Sequence, residues 1–326
     1  MKPAASSPAA GRAPRRYSFA RYLTAKATVD DRSLNAHVWQ ALGEALNAHG
    51  ADRRVQVVEL GSGIGTMVER LLGWQLLHRF DYTGIEAQPR LAQLAPRRLV
   101  AWGRQHGYSV GERRGDRVRL PRQAEEARLS FVAADVLQAA RRRRQTADLL
   151  MAHAFLDLLD LPTALPPLLG MLRPGGLFHF SLNFDGVTIF EPPIEPALDA
   201  TIEQLYHRTM DERRVGGRPS GDSRTGRHLF AALRTAGAQV LAAGASDWVV
   251  VPSRGRYPDE EAYFLHFIIH TLERALRHHT ELDPRRFTRW IERRHAQIER
   301  GELVYIAHQL DVLGKVAVRR ARRSAS

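Results

Sequence analysis

The residues best suited to chemistry gather in one short run, Glu59-Leu60-Gly61-Ser62-Gly63-Ile64-Gly65. Glycines at the end of a strand let the backbone come close to a ligand, and they open a helix whose N–H groups face it. The dinucleotide fingerprint G-x-G-x-x-G would put a third glycine at position 66. That position is Thr66, and the glycine stands at Gly65 instead, so the pattern is E-x-G-x-G-x-G and a NAD-type site is disfavoured. Two acidic residues follow at strand-like ends, in Gly84-Ile85-Glu86-Ala87 and in Ala134-Asp135-Val136. An ionised Glu86 offers two acceptor oxygens to a pair of hydroxyl donors. Asp135 has two readings, a ligand contact or the N-cap of the next helix. Met151-Ala152-His153-Ala154-Phe155 supplies a histidine, with Asp157 at i+4, the helical spacing that would let the carboxylate orient the ring. His153 is either a base or a wall of the pocket.

These residues need a scaffold that brings strand ends together. From Arg54 to about Leu182 the pattern alternates strand and helix. Val55, Val57, Val58 and Leu60 form a short apolar run ending in glycines, as a buried parallel strand does. Met67, Val68, Leu71 and Leu72 then recur at helical spacing. Further strands are expected at 80–86, 130–134, 147–152 and 177–182. Helices are expected at 91–102, interrupted at Pro96, and at 161–172. Residues 107–128 read as a polar, basic surface excursion. Such alternation predicts a parallel sheet covered by helices on both faces. Beyond it, helices are expected at 197–210, 225–236, 257–277 and 284–300. A broken strand pair or one long strand is expected at 239–251, and a closing strand at 303–316.

Val57 through Gly65 resembles the first motif of class I S-adenosylmethionine-dependent methyltransferases. Gly84-Ile85-Glu86 resembles the second, Ala134-Asp135-Val136 the third, and Leu172-Arg173-Pro174-Gly175-Gly176 the turn before strand five. Gly226-Arg227 and Leu233 through Gly237 look like the helix before strand six. The resemblance implies S-adenosylmethionine as cofactor. It places Glu59, Gly61, Ser62, Gly63 and Gly65 under the methionine and ribose, Glu86 and Ala87 at the ribose hydroxyls, and Ala134, Asp135 and Val136 at the adenine. Ala152 and His153 would face the donor methyl group. It also implies an open, mostly parallel seven-stranded α/β sheet flanked by helices, in the order 3-2-1-4-5-7-6 with an antiparallel strand seven. An N-terminal cap and a helical insertion before the last strand complete the expected fold. The amino-methylation signature Asn/Asp-Pro-Pro-Tyr is absent.

The expected organisation is a disordered basic tail at 1–16, a helical cap at 17–53 and a methyltransferase domain at 54–318. Insertions fall at about 184–222 and 257–300, and a frayed basic tail at 319–326. The cap holds Tyr22, Lys26, Asp30, Asp31, Arg32 and Asn35 as candidate acceptor contacts. Asn183, Asp185, Asp222 and Arg224 are further candidates, because ligands bind at these strand ends in open sheets. Tyr263, His266 and His270 lie along one side of a helix, as a lid or as a core face. His266 and His270 lack the Glu of an H-E-x-x-H pattern, so no metal is expected.

The 326-residue chain has no cysteine, which excludes disulfides and thiolate chemistry. No apolar run approaches the roughly 20 residues of a membrane span. Arg15-Arg16 is followed by no apolar stretch, so export is not expected and cytoplasm is. The net charge is +13, and only Lys2, Lys26 and Lys315 among 48 basic residues are lysines. Arginines are scattered rather than striped, which fits genome composition. Arg141 to Arg144 and the stretch Arg113 to Arg122 are the densest runs. The expected function is methyl transfer to a small molecule. The alternatives are an RNA or protein methyltransferase using the basic surface, and a non-catalytic S-adenosylmethionine-binding protein. Nucleic acid is disfavoured as a partner because no aromatic residues interleave the basic runs. The sequence leaves the oligomeric state open.

Overall fold

The computed structural model describes residues 12–48, 53–111 and 115–317. Residues 1–11 and 318–326, which hold most of the two expected tails, lie outside the described residues, as does Arg113. Three short helices come first: α1 (Phe19–Ala25), α2 (Ala27–Ser33) and α3 (Ala36–Ala48). The alternating part is β1 (Val55–Leu60), α4 (Thr66–Gly73), β2 (Arg79–Glu86), α5 (Pro89–Gln105), β3 (Arg117–Arg122), β4 (Glu125–Ala133), α6 (Val136–Arg142), β5 (Ala147–His153), α7 (Leu161–Leu169) and β6 (Leu172–Glu191). The chain ends with α8 (Pro196–Asp211), the small hairpin β7 (Arg214–Val215) and β8 (Arg218–Pro219), α9 (Thr225–Thr235), β9 (Ala238–Ala245), β10 (Trp248–Val250), α10 (Glu261–Leu276), α11 (Pro284–Glu299) and β11 (Val304–Val316).

The main sheet runs β3-β4-β2-β1-β5-β6-β11, with β9 and β10 both paired to the far edge of β11. Strands β4, β2, β1, β5 and β6 are parallel, and β11 is antiparallel to β6. The sheet therefore has nine strands, not the expected seven. One extra strand is β3, inside the stretch read as a surface excursion. There exposed Arg117 and Arg119 alternate with buried Val118 and Leu120, a period of two masked by charge. The other arises because one edge position is split into β9 and β10. Without these two additions, the order is the expected one.

Three further expectations change. Strand β4 starts at Glu125 rather than Ser130, because its first residues close the hairpin with β3. Helix α5 runs through Pro96 without interruption, with Pro96 buried against the sheet. Strand β6 is 20 residues long, and the segment after Leu182, expected to lead into an insertion at about 184, pairs with β11 as far as Glu191. Thr188, Phe190 and their neighbours have a strand partner that local sequence does not reveal.

Alternation along the strands builds two cores. Val57, Phe80, Tyr82, Leu129 and Met151 face α3, α4 and α5. Val58, Leu60, Ile85, Leu150 and Phe180 face α6, α7 and α9. A third core lies over the extended end of β6 and β11, where α8, α10 and α11 pack with the cap residues Ala25 and Val29. This places the cap beside the C-terminal ends of β1 and β5.

Candidate functional site

The glycine turn leaves β1 and enters α4. Gly61 has φ +64°, and a Cβ there would lie 2.3 Å from the Phe155 ring. Gly65 has φ +82° and is the N-cap of α4. Both demands, left-handed backbone and close approach, are met at low cost by glycine alone. The turn is tied to the neighbouring strand end: Ser62 N donates to Ile85 O at 3.1 Å. Gly63 N donates to Glu86 Oε2 at 3.0 Å, and Gln88 N to Glu86 Oε1 at 2.8 Å. Each carboxylate oxygen of Glu86 thus keeps acceptor capacity after fixing the turn. Ser62 Oγ is buried beside the Tyr82 hydroxyl.

Glu59 sits beneath the turn, buried, and accepts a short hydrogen bond from the Tyr82 hydroxyl. Burial pushes its carboxyl up to about 7, against the pull of Tyr82 and Arg70. Ala134 N donates to Glu86 O at 3.1 Å, so the end of β4 adjoins the end of β2. Ala87 and Asp135 are exposed at this rim, and Val136 is buried in the core. Asp135 Oδ1 accepts from Leu137 N at 3.0 Å and Gln138 N at 2.9 Å, which makes it the N-cap of α6. Ala152 pairs with Leu60 in the sheet.

His153 is placed at the end of β5 beside the turn, but Asp157 does not orient it. The chain past His153 is not helical: Ala154 has φ +48°, and Leu156–Leu158 form a single tight turn. The i+4 spacing therefore has no meaning there. Asp30 from α2 takes that role, with its Oδ2 at 3.0 Å from His153 Nε2. Nδ1 lies 2.9 Å from Ser181 Oγ on β6. Nε2–H donating to Asp30 and Ser181 donating to Nδ1 satisfy two contacts, while Arg70 Nη1, also a donor, stands 3.3 Å from Nε2. Burial, assisted by Arg70, pushes the imidazole down to about 4, so the ring is neutral at pH 7.

Asp30 is the hub of a buried charged cluster. It accepts from Lys26 Nζ at 2.7 Å and from Trp248 Nε1 at 2.9 Å, and Arg70 Nη2 stands 3.5 Å away. Arg70 also binds Asp31 at 2.6 Å. Although burial opposes it, the charges of Lys26, His153 and Arg70 hold the Asp30 carboxyl well below the usual range. Lys26 and Asp30 are an i, i+4 pair legible in the sequence. Arg70 was not: it is buried although it stands outside the apolar positions 67, 68, 71 and 72 of its helix. Ser181 carried no signal beyond its place on a strand.

Asp157 lies at the other side of the turn. Its Oδ1 is buried without a partner. Arg213 Nη2 donates to its backbone carbonyl at 2.8 Å, and Ser220 Oγ to that of Leu158 at 2.8 Å, so the β7–β8 hairpin covers this turn. The Asp157 charge reaches Tyr22 and Tyr206, raising both hydroxyls after burial has done so, Tyr206 to about 12. The hydroxyls of Tyr22, Tyr206 and Tyr305 make no hydrogen bond among the described residues. Tyr22 stacks on Phe264 and Phe267, and Phe264 packs edge-on to Tyr305.

Other candidates are held by contacts within the chain. Asn183 donates to Phe180 O and Leu310 O, and Asp185 holds Arg227 at 2.9 Å. Asp222 accepts from Arg224 N and binds His228. Asn35 caps α3 through Val38 N, and Arg32 pairs with Glu261. Tyr263 bonds Ser18, His266 faces His295 at 2.8 Å, and His270 stacks on Tyr17. That face pins the cap rather than lining a lid.

The parallel strands, with antiparallel β11 between β6 and β9, form an open α/β sheet with the acidic Glu86 at the end of β2. This strand order is the one that the resemblance to class I S-adenosylmethionine-dependent methyltransferases implies. No family model matches the chain, and no curated protein matches it. Among solved structures it is similar to an S-adenosylmethionine-dependent methyltransferase from Geobacter sulfurreducens in complex with S-adenosyl-L-homocysteine. That likeness has 14% identity over 90% of this chain and 97% of the other, with a TM-score of 0.43. Geranyl diphosphate methyltransferase in complex with GPP and sinefungin is similar at 11% identity, over 85% and 76%, TM-score 0.42. A Haemonchus contortus phosphoethanolamine N-methyltransferase is similar at 10%, over 94% and 61%, TM-score 0.41.

Proposed function

We propose that the chain binds S-adenosylmethionine and transfers its methyl group to a small-molecule acceptor. The observation that carries this reading is the joint between Gly63 and Glu86: a left-handed glycine turn locked to a carboxylate at the adjacent strand end. The residues fit the cofactor. Gly61, Ser62, Gly63 and Gly65 offer a close-approach backbone, with left-handed conformations at all three glycines. Glu86 and Ala87 would hold the ribose, and Ala134, the remaining oxygen of Asp135 and Val136 would border the adenine. Glu59 supports the turn from below, and Ala152 closes the end of β5. When bound, the sulfonium supplies an already activated methyl group, so alignment is the main task of the protein.

His153 then acts as a positioning residue. With both ring nitrogens engaged and the ring neutral, it fixes Asp30 of the cap to Ser181 of β6. Asp157, whose Oδ1 is buried without a partner and whose charge reaches Tyr22 and Tyr206, is the better acceptor contact. A small acceptor is favoured because the cap and the β7–β8 hairpin fold over this end of the sheet, and covers of this kind exclude water. Among the described residues no helix is long and apolar enough to cross a membrane.

Incubation with methyl-labelled cofactor and fractionated cell extract tests the reading by mass spectrometry. Label in the small-molecule fraction is the expected result. Label confined to RNA or protein overturns the acceptor class, and cofactor binding without any turnover overturns the transfer.

A further inference from the structure

Two basic runs that are distant in sequence meet in one cleft. On the face of the sheet opposite α5, Arg117, Arg119, Arg128 and Ser130 of the β3–β4 hairpin border Thr83 of β2 and Arg143 beyond α6. Together they line a cavity of 500 Å³. The alternate residues Val118, Leu120, Ala127 and Leu129 are buried on the α5 side. This outer face stays open because α6 is only seven residues long. Arg141, Arg142 and Arg144 are exposed next to it.

The charges in the cleft are not balanced. Glu126 is shared by Arg54, Arg119 and Arg128, and Asp81 is held by Arg54 at 3.1 Å and Gln56 at 2.9 Å. The side chains of Arg117 and Arg143 have no partner among the described residues. Guanidinium forks match phosphate oxygens two at a time. Hydroxyls such as those of Ser130 and Thr83 are frequent donors to phosphate and sugar. The lining offers no exposed apolar or aromatic anchor, since Tyr82 turns its ring to the other face and bonds Glu59. A protein partner would need such an anchor at the centre of its interface. Asp81 and Thr83 precede Glu86 by five and three residues on β2, about 16 and 10 Å at strand rise, so the cleft is separate from the glycine turn.

Against the expectation from the separate basic runs, which bars only base stacking, we propose that this cleft binds the phosphodiester backbone of a nucleic acid, without reading or stacking its bases, at a docking site separate from the glycine turn. Arg117, Arg119, Arg128 and Arg143 make the phosphate contacts. The inference does not rest on methyl transfer.

Fluorescence anisotropy with labelled oligo(U) and oligo(dT), from 50 to 300 mM salt, tests it. Four phosphate contacts to a single strand predict a log–log salt slope of about −3. Arg117→Gln with Arg143→Gln should raise Kd at least tenfold at 100 mM salt and reduce the slope to about −1.4. Retained S-adenosylhomocysteine binding and an unchanged melting temperature would show that the variant is folded. No binding at 50 mM salt, or an unaltered slope in the double variant, overturns the proposal. Equal affinity for inorganic pyrophosphate would assign the cleft to a small anion instead. Binding to phosphatidylserine vesicles but not to oligonucleotides would assign it to a lipid surface.

Discussion

Replacing Glu59 with glutamine should make the protein more stable in alkali than in acid relative to the wild type. Glu59 is buried under the glycine turn, and burial raises its carboxyl from 4.5 to about 7. The folded protein therefore binds a proton between these limits that the unfolded chain releases. Stability from this group is fully present below about pH 4.5 and is lost as pH rises through about 7. Each pH unit of separation corresponds to about 1.4 kcal/mol, so the full loss is about 3.5 kcal/mol in the wild type. Glutamine keeps the shape and can still accept from the Tyr82 hydroxyl, but it does not titrate. Urea unfolding of both proteins at pH 5, 6, 7 and 8 isolates the effect, because the other titrating groups largely cancel in the difference. The variant should gain about 2–3 kcal/mol on the wild type between pH 5 and pH 8. A difference that stays flat across this range would refute the account of Glu59 as a carboxyl held neutral by burial.

Glu86→Ala should weaken S-adenosylhomocysteine binding by about 1–3 kcal/mol, measured by calorimetry, because a charged acceptor and the lock on Gly63 are both lost. Gly61→Ala should lower stability by at least about 1 kcal/mol in chemical unfolding from left-handed strain alone. Adding Phe155→Ala should recover the part due to the ring contact. Asp30→Asn leaves Lys26 and Arg70 buried without their shared carboxylate, and should cost about 3–5 kcal/mol in unfolding experiments. The ring protons of His153, followed by NMR, should hold their neutral shifts from pH 8 to about pH 5 and titrate near 4. Since this pKa is depressed below 6.5, the group costs stability as pH falls through that window.

The parallel half of the fold was legible because its strands are apolar runs that end in glycines and its helices carry apolar residues at helical spacing. The edges were not. β3 hides its period of two under arginines at 117, 119 and 122, and the second half of β6 is strand only because β11 returns beside it from more than a hundred residues away. At the site, the glycine turn, Glu86 and His153 could be located because each ends a strand. Asp157 was paired with His153 on helical spacing, and the left-handed Ala154 breaks that spacing. Asp30, Arg70 and Ser181 reach His153 from three separate elements, a meeting that only tertiary structure reveals.

Titration calorimetry of the wild type with S-adenosylhomocysteine, with NAD as the control, tests the central claim most directly. One site per chain for S-adenosylhomocysteine, with no heat from NAD, is the predicted result. Binding of NAD in its place, or of neither, would contradict the assignment of the Gly61–Gly65 turn and Glu86 to a sulfonium cofactor.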